Sequence, residues 1–339
     1  MPINPVVHYQ QVLSMALEER SRGYQDLVSD NNALLAVLRR KGLWRTYSGP
    51  RIRETLQIDK QDAQWYSGYD FLENPPIELF NDAYFTPKMV AVPISLTMEE
   101  ILNNEGENQL MDVMESYIDA AERSLQDTMD AALHGDGTAN GGKAINGLAV
   151  AVPIVTNAGV YGGISRVDHA IWRTSTFDAN SFATDIGTQV DPTTIRPFLN
   201  RIMTQRSRGR RHADLLLMSP EHYEAYDAAT VAIQRIQKEG GLAKLGFSSL
   251  AYVGGGKQAE IVLDGGIGSN MPANTTFGLD TDALRVRYNA NRNFDKLFEG
   301  EGQKPINQDA IAQFIGWMGE LTLNNPLFSW RLYDSNPSA

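Results

Sequence analysis

The residues of this chain that could do chemistry are few and loosely spaced. Gly137-Thr-Ala-Asn-Gly-Gly142-Lys143 satisfies the G-x4-G-K half of a phosphate-binding loop, in which amides and a lysine cradle phosphate. Ala144 stands where such a loop needs a magnesium-binding Ser or Thr. The order is also inverted: the loop should follow a strand and open a helix, and here the pattern predicts a helix before it and a strand after it. His212, Asp214, Ser219 and His222 lie close in sequence. A hydrolytic serine would sit in G-x-S-x-G on a sharp turn. Leu217-Met-Ser-Pro-Glu221 reads instead as a helix start, with Ser219 as cap and Pro220 in the first turn. His8, His134 and His169 have no partners at ligand spacing, and H-E-x-x-H does not occur. Arg206, Arg208, Arg210 and Arg211 form one compact basic patch. It suits a contact with nucleic acid or an acidic neighbour as well as it suits a solvated helix end. Asn274-Thr-Thr is a glycosylation sequon by pattern alone. No catalytic residue, cofactor or metal ligand is expected from this set.

The element best defined by its sequence is a long acidic helix within 97–148 that ends in a glycine- and asparagine-rich turn. Leu110, Met114, Tyr117, Ala121, Leu125, Met129 and Leu133 recur at three- and four-residue steps, as one buried stripe requires. Asp112, Ser116, Asp119, Arg123 and Asp130 fill the other face. Asn104 with Glu107, or Thr97 with Glu100, would cap it, and Gly106 either interrupts one helix or separates two. Glu105 and Glu107 suit the positive end of the helix dipole and His134 the negative end. A helix from Glu107 to His134 spans roughly 40 Å at about 1.5 Å per residue. It is a spine too long for a small domain to bury alone.

Residues 6–42 read as helical, with Val12, Met15, Ala16, Leu27, Leu34, Leu35 and Leu38 at helical spacing and Gly42 as the stop. This segment has too little core of its own and must pack on something else. Residues 51–58 alternate polar with apolar, as in a half-exposed strand. Residues 84–96 form a second extended run that Pro87 and Pro93 confine to an edge. Between them lies an aromatic, turn-rich stretch. The simplest structure is a long two-stranded excursion, which is marginal in water unless it lies on another surface. Residues 150–280 read as a mixed α/β lobe, with helices at 194–208 and from Ser219 through Ile233 toward Gly240. Its strands fall at 213–218, 252–253 and 260–263. Residues 284–288 alternate cleanly, 310–323 read as an apolar strand pair, and Asn325-Pro326 turns the chain.

At 339 residues the chain exceeds the size of a single growing core, so two or more lobes are expected. Its 42% hydrophobic share is that of a globular protein. No apolar run reaches the length of a membrane span, and Met1 to Gln11 lacks the basic start and apolar core of a signal peptide. With no cysteine, disulfides and thiolate zinc sites are excluded. A net charge of -11 argues against broad non-specific binding to nucleic acid.

The order of these features resembles the major capsid protein of tailed bacteriophages, the Hong Kong 97-type shell fold. The local matches are His134-Gly-Asp-Gly-Thr138 with Gly147-Leu148, and Met271-Pro-Ala-Asn274 followed by Phe277-Gly-Leu-Asp280. The strand region 316–325 is also similar. The resemblance implies an α+β fold with a long spine helix, an extended two-stranded loop, a peripheral domain and an axial α/β domain. Residues 1–45 would be an N-terminal arm and 46–96 the extended loop lying across an adjacent subunit. Residues 97–149 and 281–339 would be the peripheral domain, and 150–280 the axial domain. Function would then be self-assembly, through hexamers and pentamers, into the icosahedral shell of a virion formed in the host cytoplasm. The shell would enclose double-stranded DNA without reading its sequence. Trp65, Tyr66 and Tyr69 would anchor contacts between subunits, with Arg51, Arg53, Glu54 and Lys60 as ion-pairing residues. The short arm implies a separate scaffolding protein or an already trimmed chain, and Met1 favours the scaffold. A portal is a further implied partner, a decoration protein is left open, and no membrane is expected. Some members join subunits through a Lys–Asn bond. Lys60, Lys88, Asn324 and Asn325 are present but single out no pair, so no covalent link is expected. Two alternatives stay open: an encapsulin-like compartment around a protein cargo, and an α/β enzyme using the 137–143 loop.

Overall fold

Two sheets carry the chain, and strand alternation decides what each one buries. The computed structural model describes residues 33–57, 63–73, 76, 79–99, 107–230, 249–266, 269–297 and 309–337. The strands are β1 (Trp44–Thr46), β2 (Ile52–Gln57), β3 (Phe80–Phe85), β4 (Lys88–Thr97), β5 (Val160–Tyr161), β6 (Ile164–Ser165) and β7 (Ser175–Asp178). They continue with β8 (Leu215–Met218), β9 (Ser249–Gly254), β10 (Lys257–Leu263), β11 (Thr275–Leu279), β12 (Leu284–Lys296), β13 (Ala310–Leu323) and β14 (Trp330–Tyr333). The four-stranded sheet runs β1-β12-β13-β4, and the six-stranded sheet runs β7-β14-β11-β8-β10-β9. Pairs β2-β3 and β5-β6 stand as separate two-stranded ribbons. Among the described residues, no helix is long and apolar enough to cross a membrane.

The six-stranded sheet divides the two cores. In the central strand β8 every residue is buried. Leu215 and Leu217 face one hydrophobic cluster, Leu216 and Met218 the other, as a side-chain period of two requires. The second cluster is closed by the helix Ile195–Gln205, through Phe198, Leu199, Ile202 and Met203, and by the helix Pro220–Thr230. The first cluster fills the space between the four-stranded sheet and the spine helix, Glu107–His134, which packs on β4. Ile118, Ala121, Leu125, Met129 and Leu133 form the buried stripe of that helix. Tyr117, expected there, is exposed, and the aliphatic Ile118 beside it takes the buried position. Leu110 and Met114 lie outside the described side chains.

Several expectations change. Residues 84–96 are not one strand. The chain breaks at Thr86-Pro87, so that β3 returns against β2 while β4 joins β13. Pro93 is tolerated because β4 is the edge of its sheet. Residues 310–323 form one strand rather than a pair. Its Gly316 and Gly319 mark close packing, since a Cβ there would meet the Leu297 side chain or the Arg287 carbonyl and Trp317 ring. The stretch before Thr46, expected to pack elsewhere, belongs to the globule from Ala33 onward. Helix Ala33–Arg40 buries Leu34, Leu35, Val37 and Leu38 in the first cluster, and β1 pairs with β12. Arg40 reaches Glu260 at 2.5 Å and Lys41 pairs with Asp214, tying this helix to the six-stranded sheet. Strand β14, expected with the peripheral segment 281–339, lies between β7 and β11, where Trp330 and Leu332 join the second cluster. The expected helix at 6–32, the caps at Glu100 and Asn104, and Glu105, Gly106, Ile233 and Gly240 fall outside the described residues, as do His8 and Ile58.

Candidate functional site

The hairpin β2-β3 is buried at its root and bare at its tip. Ile52, Glu54 and Leu56 of β2 point inward and alternate with exposed Arg53, Thr55 and Gln57. Ala83 and Phe85 of β3 meet them, and the Phe85 ring stands edge-on to Tyr161 at 5.1 Å. The Tyr84 amide donates to the Gly162 carbonyl at 2.8 Å, so the root is stitched to the β5-β6 turn. The described residues of the tip, 63–73, lie in water. Trp65 is 101% exposed, Tyr69 108% and Phe71 94%, with Tyr66, Leu72 and Phe80 exposed around them. The tip is nonetheless organised. Gln64 and Glu73 exchange two hydrogen bonds of 2.9 and 3.0 Å, and the Ser67 amide donates to the Asp70 carboxylate at 2.8 Å. Aromatic surface held in a bonded turn and left in water marks an interaction site, and a partner meets it with less ordering cost than a floppy loop would impose.

The residues expected at subunit contacts divide by position. Trp65, Tyr66 and Tyr69 sit together on the bare tip. Arg51 is exposed at the root, and Lys60 lies outside the described residues. Arg53 faces Asp82 across the hairpin at 2.6 Å, a pairing that holds the carboxyl below its ordinary range. Glu54 departs from the expectation: it is buried and accepts from Arg287 of β12 at 2.6–2.7 Å. Its alternation phase turns it inward, and a buried carboxylate needs a cation. Lys88 donates to the Gly142 carbonyl, and the Asn325 side chain accepts from the Leu327 amide.

A second feature, at the end of the spine helix, is hidden from sequence spacing. His134, without partners by spacing alone, is buried between two carboxylates. Its Nδ1 donates to the Asp130 carbonyl at 3.1 Å and lies 3.5 Å from the Asp130 carboxylate. Its Nε2 donates to Asp264, just after β10, at 3.1 Å. Burial alone would push the imidazole down, but hydrogen bonds to Asp130 and Asp264 outweigh it, and the pKa is pushed up to about 10. Burial likewise raises Asp130, but bonds from His134 and two from Asn270, both at 2.9 Å, hold it below the ordinary carboxylate range. The ligand atoms of the three residues lie within 4.8 Å of one another, as in some metal sites. Here each ring nitrogen faces its own carboxylate, so the donors do not converge on one point. The arrangement fits a doubly paired imidazolium clasping the spine helix to the six-stranded sheet.

The glycine-rich turn completes this joint. Gly147 sits so close to the Ala132, Leu133 and Gly135 carbonyls that a Cβ would run into all three. The Asn146 amide donates to Glu320 of β13 at 2.6 Å, and burial pushes that carboxyl up to about 8. Gly147→Ala is expected to lower stability by about 1–3 kcal/mol through forced backbone movement, read as a fall in the denaturation midpoint. Three amides that a phosphate cradle could use are spent within the turn. The Gly142 amide is spent on the Thr138 carbonyl, and the Lys143 and Ala144 amides on that of Ala139. After Gly147 the chain enters a short helix, Leu148–Ala151, and not the expected strand.

Several of the remaining candidates have partners within the chain. Ser219 stands at the start of its helix, where its buried hydroxyl accepts from the Thr275 amide at 3.2 Å and bonds the Glu221 carboxylate of the same first turn. His222 bonds Thr276 at 2.8 Å, and burial pushes its pKa down to about 4. In the basic patch, Arg206 lies over Phe177, and Arg211 pairs with Asp280 at 3.2 Å over Phe328.

No protein-family model matches the chain, and no curated protein matches it in sequence. Solved structures are similar over nearly its whole length. The capsid asymmetric unit of cyanophage A-1(L) aligns with a TM-score of 0.67 at 16% identity, covering 90% of this chain and 93% of that one. The capsid of the native GTA particle aligns at 0.53 with 11% identity, covering 88% and 90%. The Mycobacterium phage Bobi structure aligns at 0.51 with 12% identity, covering 87% and 90%. On these alignments this chain, with its two sheets, spine helix and projecting hairpin, has the Hong Kong 97-type fold.

Proposed function

We propose that many copies of this chain, arranged as hexamers and pentamers, build the icosahedral shell that encloses the double-stranded DNA genome of a tailed bacteriophage. The reading rests on one observation: a rooted hairpin carries Trp65, Tyr66, Tyr69 and Phe71 into solvent, where its own globule does not cover them. Such a surface is costly alone and favourable on another copy. Spread over several neighbours, the contacts would exceed the roughly 1,600 Å² of a standard interface. The work done is binding, not catalysis. A net charge of -11 suits a wall that holds a polyanion without adhering to it. A separate scaffolding protein and a portal are the partners this reading calls for, with the virion as its location.

Electron microscopy of purified particles, with nucleic-acid quantitation, tests the proposal. Closed shells holding nuclease-protected double-stranded DNA are expected. Elution as a monomer or dimer at every concentration would contradict it, and shells filled with protein instead of DNA would replace the genome by a protein cargo.

A further inference from the structure

We propose that the groove between the hairpin root and the Pro326–Phe328 turn is the seat for the aromatic hairpin tip of a second copy of this chain. The inference rests on the reading that the hairpin builds the shell, and it adds where the hairpin lands. The groove measures about 820 Å³, room for more than one aromatic side chain. Leu56, Ile171, Leu327 and Phe328 give it an apolar lining, and Arg208 and Arg211 stand on its rim.

Three observations favour the tip as occupant. The first is charge. Residues 58–80 carry Asp59, Asp62, Asp70, Glu73 and Glu78 against Lys60 alone, while the groove borders the Arg206, Arg208, Arg210 and Arg211 patch. Among the described residues, Asp282 is the one carboxylate that lines it, and the Asp280 beside it is already paired with Arg211. The second is chemistry. Arg211 already lies over the Phe328 ring at 5.3 Å and its side chain is still 45% exposed, so an arriving Trp or Tyr finds a guanidinium to stack on. The third is topology. The chain's own tip does not fill the groove, since Trp65 and Tyr69 are fully exposed. Donor tip and acceptor groove are therefore different surfaces, and a head-to-tail contact of this kind links copy to copy and forms a ring where the rotation closes. Because Thr55, Leu56 and Gln57 line the groove, a seated tip would meet the root of the acceptor's own hairpin.

The chain has no cysteine, which gives a clean test. Ser67→Cys, beside the aromatic anchors and exposed on the same tip, is combined with Leu327→Cys, assembled particles are oxidised, and products are separated without reductant. A ladder of covalent multimers, reversed by reductant and absent from each single variant, is expected. Intact particles yielding only monomer, or a monomer carrying an internal link, would overturn the seat. If the double variant does not assemble, charge exchange decides. Arg208→Glu is expected to lower particle yield by about tenfold or more, as the loss of a charge contact at an interface does. Glu73→Arg in the same chain should restore it, and failure to restore overturns the seat. Trp65→Ala separates the two ideas. If it abolishes assembly while no ladder forms, only the seat falls. If it leaves yield unchanged, the hairpin reading falls too.

Discussion

Replacing Trp65 and Tyr66 together by alanine is expected to cut particle yield by at least about a hundredfold, because two aromatic anchors of an interface each contribute about 2 kcal/mol or more. The free subunit should be unaffected. Both side chains lie in solvent, and the hydrogen bonds that shape the tip come from Gln64, Ser67, Asp70 and Glu73. Circular dichroism and the urea midpoint of the subunit should match the parent, while sedimentation shows few or no shells. The hairpin root behaves differently. Glu54→Ala strands Arg287 beside an apolar cluster, so it should destabilise the subunit itself. The contrast between tip and root is what an external binding element predicts. A hairpin folded for its own globule would lose stability at both places.

The second large effect lies at the helix end. His134→Ala leaves Asp130 and Asp264 without the cation between them, and breaking a buried pair this way costs about 3–5 kcal/mol. The pH dependence carries a definite sign. The imidazole is raised from 6.5 to about 10 on folding, so its contribution is fully present below about 6.5. It then declines and is gone once pH rises through about 10. Asp130 is lowered, so its contribution is present above the ordinary carboxylate value of 3.8 and is lost as pH falls through its depressed pKa. Urea midpoints of the parent should therefore fall between neutral and strongly alkaline pH. His134→Ala should flatten that limb, and a variant that loses stability in parallel with the parent would refute the clasp.

Much of this fold can be read along the chain because its signals are local. The alternation of β2 predicts which residues turn inward, and the step pattern finds the spine helix. Adjacent positions defeat finer assignment: Tyr117 and Ile118 both fit the stripe, and only packing shows that the aliphatic one is inside. Glycines mislead where they serve close approach, so 310–323 reads as broken when Gly316 and Gly319 simply make room for neighbours. The buried charges are invisible for a different reason. Asp264 lies 130 residues from His134, and Arg287 lies 233 from Glu54. No spacing rule reaches that far, because the sheets and not the local chain bring those partners together. The tip is legible as aromatic and turn-rich, but its exposure is not.

Tryptophan emission tests the central claim most directly. Of the five tryptophans, Trp172, Trp317 and Trp330 are buried, Trp44 is partly buried, and Trp65 alone is fully exposed. Acrylamide quenching of the free subunit should show a highly accessible component that disappears in Trp65→Phe. In intact shells that component should be lost and the emission shifted to the blue, as the ring enters a neighbour's surface. A component that stays equally quenchable in intact shells would show that the hairpin tip is not what joins the copies.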